Sequence, residues 1–392
     1  MPASLTFFPV SNGDMTFVRL DNGQTVIIDL NIRGAADDDE DDTPDVAMDL
    51  RDRLKRDTKG RLYVDAFLLS HPDQDHINGL RSHFHLGPPD EWSEDDDKIF
   101  IREMWSSPIV FRRAGPNLTL CEDAKAWAKE ARRRVARFRE NGLETDEGER
   151  ILIMGEDADG KTDDILDITV KLNETFSECN RTDDGAFEAR LLGPLAADDE
   201  EDEKELEKND SSVVLRFSLS GGNVSDQCRF LTGGDAGVEI WKRLWKRHGK
   251  NNSDWLTYDV LQAPHHCSWR SLSLDRWSEL GEKVKVDPDA RSALSQTRKG
   301  AVIIVSSKPI KKDIDNPPHE RAKREYIDIL NEDDECFYCT DEFWADEGQT
   351  LEFEIKASGI TRKLARAAAL AAPALGIGAT AAHARQHGYY NP

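Results

Sequence analysis

The segment Leu62–Leu69 ends in four consecutive apolar residues, Ala66-Phe67-Leu68-Leu69, and runs directly into Ser70-His71-Pro72-Asp73-Gln74-Asp75-His76. Successive side chains of a strand point to opposite faces, so a strand that is apolar at every position has to be covered on both sides. Just upstream, residues 45–57 carry Val46, Leu50 and Leu54 at spacings of four, the pattern of an amphipathic helix. Residues 5–10, 15–20 and 24–30 read as strands, with Asn12-Gly13 and Asn22-Gly23 between them as hairpin dipeptides. Strands, a helix and then a buried strand emptying into a polar cluster describe a layered α/β protein. Such proteins place their chemistry at strand ends.

Two later strand ends repeat the theme. Residues 228–231 lead into Thr232-Gly233-Gly234-Asp235, and residues 258–261 lead into Pro264-His265-His266. Imidazole and carboxylate together suit zinc, manganese or iron better than a metal selected by thiolates. A capping role explains Asp73 or Asp75, and a paired histidine can be an ordinary polar residue near the surface. Three such clusters at three strand ends, using four of the ten histidines, point instead to one site. The double glycine brings Asp235 close to packed backbone, and a carboxylate between two cations can bridge them.

Taken in order, Ile27-Ile28-Asp29, His71-x-Asp73-x-Asp75-His76, Thr232-Gly233-Gly234-Asp235 and Pro264-His265-His266-Cys267-Ser268 resemble the metallo-β-lactamase superfamily. Within it, the chain is most similar to the hydrolase domain of bacterial competence (DNA-uptake) proteins and its free-standing relatives. Asp73 stands where the broader superfamily has a second histidine. Asn12-Gly13-Asp14, Asn209-Asp210-Ser211-Ser212 and Asn316-Pro317-Pro318-His319 add to the likeness, which covers residues 5–34, 60–80, 186–270 and 300–330. Two departures stand out. Cys267 occupies a glycine's place, and no histidine lies between His85 and His248, where the superfamily supplies a further ligand.

The resemblance implies an αββα sandwich and two divalent ions, zinc or manganese. His71 and Asp73 would hold one ion, Asp75 and His76 the other, with Asp235 bridging and one of His265 and His266 completing the second site. His266 is the favoured ligand and His265 the supporting residue. Asp29, Ser212 and Ser268 would orient the ligands, and His319 would either donate a proton to the reacting group or support the site. Asp75 and Asp235 would hold a nucleophilic water carried by the metals. The implied substrate is a phosphodiester, in a nucleic acid or a small nucleotide, and the alternatives are another ester or a non-catalytic, protein-directed module. The missing histidine predicts unequal affinities for the two ions.

Charge bears on the substrate. The formal net charge is -24, which repels polyanions at long range and argues against broad duplex DNA binding, although a metal pair reverses the sign locally. Acidic runs at 37–42 and 196–209 read as solvated segments. Residues 88–150 read as an insertion carrying a helix at 122–139, with Trp127, Ala131, Val135 and Phe138 on its packed side and Arg132 and Arg134 exposed. The expected organisation is a hydrolase domain at 1–345 and an extension at 346–392. The Ala-rich stretch 365–382 is short and interrupted for a membrane span, with Arg366 at one side and Pro373 inside. That extension and the 88–150 region are the places where a protein partner could dock. Lys308, Lys311 and Lys312 follow the strand at 301–305 and are either phosphate contacts or a solvated turn. The six cysteines are irregularly spaced, and Cys336-x-x-Cys339 lacks the second pair that a structural zinc needs. With no basic and apolar leader in the first residues, a cytoplasmic location is the expectation.

Overall fold

The computed structural model describes residues 2–37, 41–108, 120–156, 160, 162–195, 211–312 and 316–363. The first sheet runs, edge to edge, Gly359–Arg362, Leu351–Lys356, Ala3–Phe7, Thr16–Arg19, Thr25–Ile28, Leu62–Leu69, Phe100–Ser106, Arg150–Met154, Thr169–Val170. Its members pair antiparallel as far as Thr25–Ile28 and parallel from there on. The second sheet runs Thr175–Phe176, Phe187–Gly193, Val214–Gly221, Val224–Thr232, Tyr258–Gln262, Thr297–Val305, Phe337–Cys339. Its first three pairings are antiparallel and its last three parallel.

Side-chain alternation divides the core into three apolar layers. Phe67 and Leu69 join Phe17, Ile27 and Ile101 beneath the helices Val46–Arg53 and Glu122–Asn141. Ala66 and Leu68 point the other way, with Phe7 and Val18, against Phe217, Phe230, Val260 and Ile304 of the second sheet. The far face of that sheet, through Val214, Leu231, Leu261 and Ile303, packs on the helices Val238–His248, Pro288–Leu294 and Glu320–Ile329. Helix, sheet, sheet, helix is the αββα sandwich of the metallo-β-lactamase type. It explains why Ala66–Leu69 has no polar position: both faces of that strand end are interior.

Three expectations about organisation are corrected. Residues 88–150 are not an insertion, because Phe100–Ser106 is an interior strand paired on both sides and Glu122–Asn141 covers the sheet. Trp127, Ala131, Val135 and Phe138 are buried as the periodicity predicts, and the Trp127 indole donates to Ser106 Oγ at 3.0 Å. Arg132 is exposed, but Arg134 is buried. Its guanidinium pairs with Glu130 at 2.8 Å and donates to the carbonyls of Arg150 and Ile101, so it anchors the helix to the strands instead of facing solvent. The boundary at 345 falls too early. Leu351–Lys356 pairs with Ala3–Phe7, and Phe353 and Ile355 lie in the central apolar layer. Ahead of the short edge strand Thr169–Val170, the 3-10 turn Asp163–Ile168 buries Ile165 and Ile168 and leaves Leu166 exposed. The acidic run at 196–209 and the Ala-rich stretch lie outside the described residues. Among the described residues no helix is long and apolar enough to cross a membrane.

Candidate metal centre

The loops that matter all leave the same edge of the two sheets. Pairing of Ile28 with Leu68 sets Asp29 beside Ser70, and Asp29 accepts from the Ser70 backbone N–H at 2.6 Å and from its hydroxyl at 2.5 Å. A backbone hydrogen bond from Val213 N–H to the Ser70 carbonyl ties the second sheet to the first, and Ser212 Oγ accepts from Asp235 N–H at 3.2 Å. His265 N–H donates to the Gly234 carbonyl at 3.0 Å. Gly234 has φ +48°, and a Cβ there would sit 2.6 Å from Ser70 Oγ. Only glycine lets the Asp235 loop close onto the His71 loop.

At the centre, the carboxylate of Asp235 is buried between four imidazoles. Its Oδ1 lies 3.1 Å from His76 Nε2 and 3.3 Å from His266 Nε2, and those two nitrogens are 3.3 Å apart. A tetrahedral ion with bonds of ~2.0 Å has ligand-to-ligand edges of ~3.3 Å, so this triangle has the dimensions of one coordination face. Asp75 Oδ2 stands 3.4 Å from His266 Nε2 and is the more exposed carboxylate, its side chain 40% accessible. The other Asp235 oxygen, Oδ2, lies 3.6 Å from His71 Nε2 and 3.5 Å from His265 Nε2, and Asp73 Oδ2 is 3.9 Å from His71 Nε2.

Hydrogen bonds on the far side of the rings aim these nitrogens. His76 Nδ1 is 2.8 Å from Asp29 Oδ2, which fixes the ring proton on Nδ1 and turns the Nε2 lone pair toward Asp235. Ser70 gives its hydroxyl proton to Asp29 and lies 3.1 Å from His71 Nδ1, so the same carboxylate orients His71 through one relay. Asp14 takes a similar place behind His266, at ion-pair and not hydrogen-bond geometry, with Oδ1 3.4 Å from His266 Nδ1. Asp14 belongs to the Asn12-Gly13-Asp14 likeness, and nothing in its local sequence points to this place behind a histidine. Asn12-Gly13 is not a tight hairpin here. The chain bulges from Phe8 to Met15, Asp14 N–H donates to the Asp75 carbonyl, and a Cβ on Gly13 would sit 2.1 Å from Asn31 Nδ2.

Asp14, His76, Asp235 and His266 are buried, and each offers a ligand atom within 4.8 Å of the others, a capacity for one metal ion. Asp14 approaches the rings at Nδ1 while Asp235 meets their Nε2 atoms, so Asp14 stands behind the ligands. The electrostatics fit a cation. Among the described residues, Asp14 Oδ1, Asp235 Oδ1 and His71 Nε2 are buried without a hydrogen-bond partner. Burial alone would lower the His266 pKa, yet Asp235 and Asp14 outweigh it and push it up to about 10, and Asp235 and Asp29 likewise raise His76. Burial opposes ionisation of Asp235 too, but His76, His266 and His71 hold it well below the usual carboxylate range. Protons on the histidines balance the carboxylates in the protein alone, and a divalent ion supplies that charge in their place.

A cavity of about 870 Å3 opens on this cluster, lined at one end by Asp235 and His265 and elsewhere by Trp269, Arg270, Arg276, Trp277 and His319. His319 caps the helix Glu320–Ile329, its Nδ1 accepting from Arg321 N–H at 3.1 Å, and its ring meets that of Trp277 at 4.7 Å. Ser268 is not at the cluster. It donates to Asn316 Oδ1 at 2.9 Å and caps the next turn. Lys308, Lys311 and Lys312 are absent from the cavity wall, where the cationic side chains are Arg270 and Arg276. Lys311 and Lys312 point to solvent on the turn after the strand, the reading that competed with phosphate contact. Cys339 donates to the Ser307 carbonyl and Cys336 approaches Asp333, so neither thiol joins a metal cluster.

No family model matches the sequence, and no curated protein matches it. Among solved structures, the chain is similar to isothiocyanate hydrolase from Delia radicum gut bacteria, at 11% identity and a TM-score of 0.39, covering 90% of this chain and 99% of that one. So distant a likeness adds nothing to the chemistry, which rests on the layers and the cluster described above. On those grounds the chain is an αββα sandwich of the metallo-β-lactamase type with a buried His/Asp cluster able to hold a metal ion.

Proposed function

We propose that the chain is a metal-dependent hydrolase acting on phosphodiesters, akin to the hydrolase domain of competence proteins. The observation that carries this reading is the buried Asp235 carboxylate, faced by imidazole nitrogens whose rings are held from behind, at the end of an open cavity. Asp75, His76, His266 and Asp235 would hold one ion, and His71, Asp73 and the second Asp235 oxygen another, zinc or manganese in either place. Bound there, such ions supply Lewis acidity and offset charge that develops on the substrate oxygens.

The chain's own groups do the rest. Asp75, the carboxylate of the cluster that solvent reaches, orients the attacking water and receives its proton. His319, whose Nδ1 accepts from Arg321 N–H, lines the cavity and would act on the leaving oxygen of a substrate lying there as proton donor, or support the site. Arg270 and Arg276 on the same wall suit the phosphate charge. A net charge of -24 favours a small phosphodiester over long duplex DNA.

The test is a manganese- or zinc-supplemented screen of bis-p-nitrophenyl phosphate, single- and double-stranded DNA, RNA and cyclic dinucleotides, with a β-lactam and a thioester as controls. Phosphodiester turnover that disappears in Asp75→Ala is expected. Turnover surviving in that variant would place the activity elsewhere, and lactam or thioester cleavage alone would overturn the substrate class. A polymer substrate would lose affinity steeply with salt, and a small one would not.

A further inference from the structure

We propose that His265 is a metal ligand, forming with His71, Asp73 and the outer oxygen of Asp235 a second cation centre. It thereby takes the place of the imidazole that the chain lacks between His85 and His248. The proposal rests on the metal-centre reading of Asp235 given above, and it changes the part that His265 plays, from supporting its neighbour to binding in its own right.

Two consecutive residues of a strand point to opposite faces, and neither arrangement lets both reach one carboxylate from the same side. His265 and His266 escape this by adopting left-handed backbone in succession, with φ of 52° and 51°. Their rings stand at 80° to each other with centroids 6.0 Å apart. Each Nε2 then meets a different oxygen of Asp235, His266 at 3.3 Å from Oδ1 and His265 at 3.5 Å from Oδ2. Left-handed backbone at a non-glycine residue is costly and persists where the surroundings enforce it, often at functional sites.

The outer oxygen has a second imidazole waiting. His71 Nε2 is 3.6 Å from it, is buried, and has no hydrogen-bond partner among the described residues, while Nδ1 on the other side of the ring lies 3.1 Å from Ser70 Oγ. Two imidazole nitrogens thus face the outer oxygen, with Asp73 3.9 Å from His71 Nε2. The superfamily's missing histidine would have come from the segment before Asp235. In this chain that segment contributes Ser212, whose hydroxyl supports the Asp235 backbone. His265 reaches the same oxygen from the opposite loop. Its side chain is 18% exposed where His266 is fully buried, so the outer centre lies nearer solvent and its distances are longer than those of the inner one.

The test is a titration of the metal-free protein with manganese(II), followed by calorimetry, and with cobalt(II), followed by its visible absorption. His265→Asn is the main variant, since asparagine tolerates left-handed backbone and removes the ligand without forcing the loop to refold. Wild type should bind in two unequal steps. His265→Asn should weaken the weaker step at least ~10-fold and leave the tighter one in place, and His266→Ala should do the reverse. His265→Asp, which restores a ligand atom, should recover part of the weaker step. Both steps intact in His265→Asn, or one ion at saturation in the wild type, would overturn the assignment. Uptake of no cation by the wild type would remove the metal centre itself, and this proposal with it. Two ions lost and regained as described, without phosphodiester turnover, would uphold the role of His265 while ending the hydrolase reading.

Discussion

The two sides of Asp235 are built to different standards. On the inner side, His76 and His266 are fully buried, lie 3.1 and 3.3 Å from Oδ1, and have carboxylates directly behind their rings, Asp29 and Asp14. On the outer side, His71 and His265 lie at 3.6 and 3.5 Å from Oδ2. His71 meets the Ser70 hydroxyl behind its ring and no carboxylate directly among the described residues, and His265 is partly open to the cavity. Buried ligands with carboxylates set behind their rings have little reorganisation left to undergo when an ion enters. On the proposed two-ion reading, the inner side would be the tighter site. The outer side, adjoining the cavity, is the one a substrate can help to complete.

Removing what the two sides share should have the largest effect. Asp235→Ala should bring retained metal below half an equivalent per chain after dialysis and cut phosphodiester turnover by at least ~10²-fold, through loss of charge stabilisation in the transition state. Retention of one tightly bound ion would show that the inner histidines suffice without the carboxylate.

The orienting carboxylates separate the sides more finely. Asp29→Ala should weaken both binding steps by ~10- to 100-fold, because Asp29 backs His76 directly and His71 through Ser70. Asp14→Ala should weaken only the tighter step by a similar factor, since its contacts are with the inner rings. Complete loss of the tighter step in calorimetry would instead make Asp14 a direct ligand.

A smaller effect concerns the strained loop that both sides share. Cys267 continues the left-handed run at φ 66° and is buried, with its thiol pKa raised to the same end by burial. A residue with a Cβ pays ~1–2 kcal/mol in that conformation, and glycine does not. Thermal or urea unfolding should find Cys267→Gly more stable than Cys267→Ala by about 1 kcal/mol, the reverse of the usual order. Equal stabilities would mean that the loop relaxes when the thiol is removed, and that its strain is not held by the surrounding structure.

Local sequence decided a good deal of this protein. Alternation and apolar runs located Leu62–Leu69, which ends where expected, and a four-residue spacing located the helix whose Trp127 and Val135 are buried. Both follow from periodicity, which is a property of neighbouring residues and survives any choice of fold. The clustering of His71, Asp73, Asp75 and His76 in one loop, with Asp235 and His266 at other strand ends, was legible for the same reason: ligand chemistry is written in residue types.

What only the tertiary structure decided concerns partners far apart in the chain. Arg134 reads as solvent-facing beside Arg132, and it is buried because Glu130 and the carbonyls at two strand ends satisfy its guanidinium. Leu351–Lys356 lies beyond any local signal for the domain and joins it by pairing with a strand at the other end of the chain. Asp14 and Asp29 acquire their roles only when sheet pairing sets them behind His266 and His76. The division of labour between His265 and His266 depends on two positive φ angles and on which oxygen of Asp235 each ring meets. Orientation about a shared carboxylate is a three-dimensional quantity, and no one-dimensional spacing encodes it.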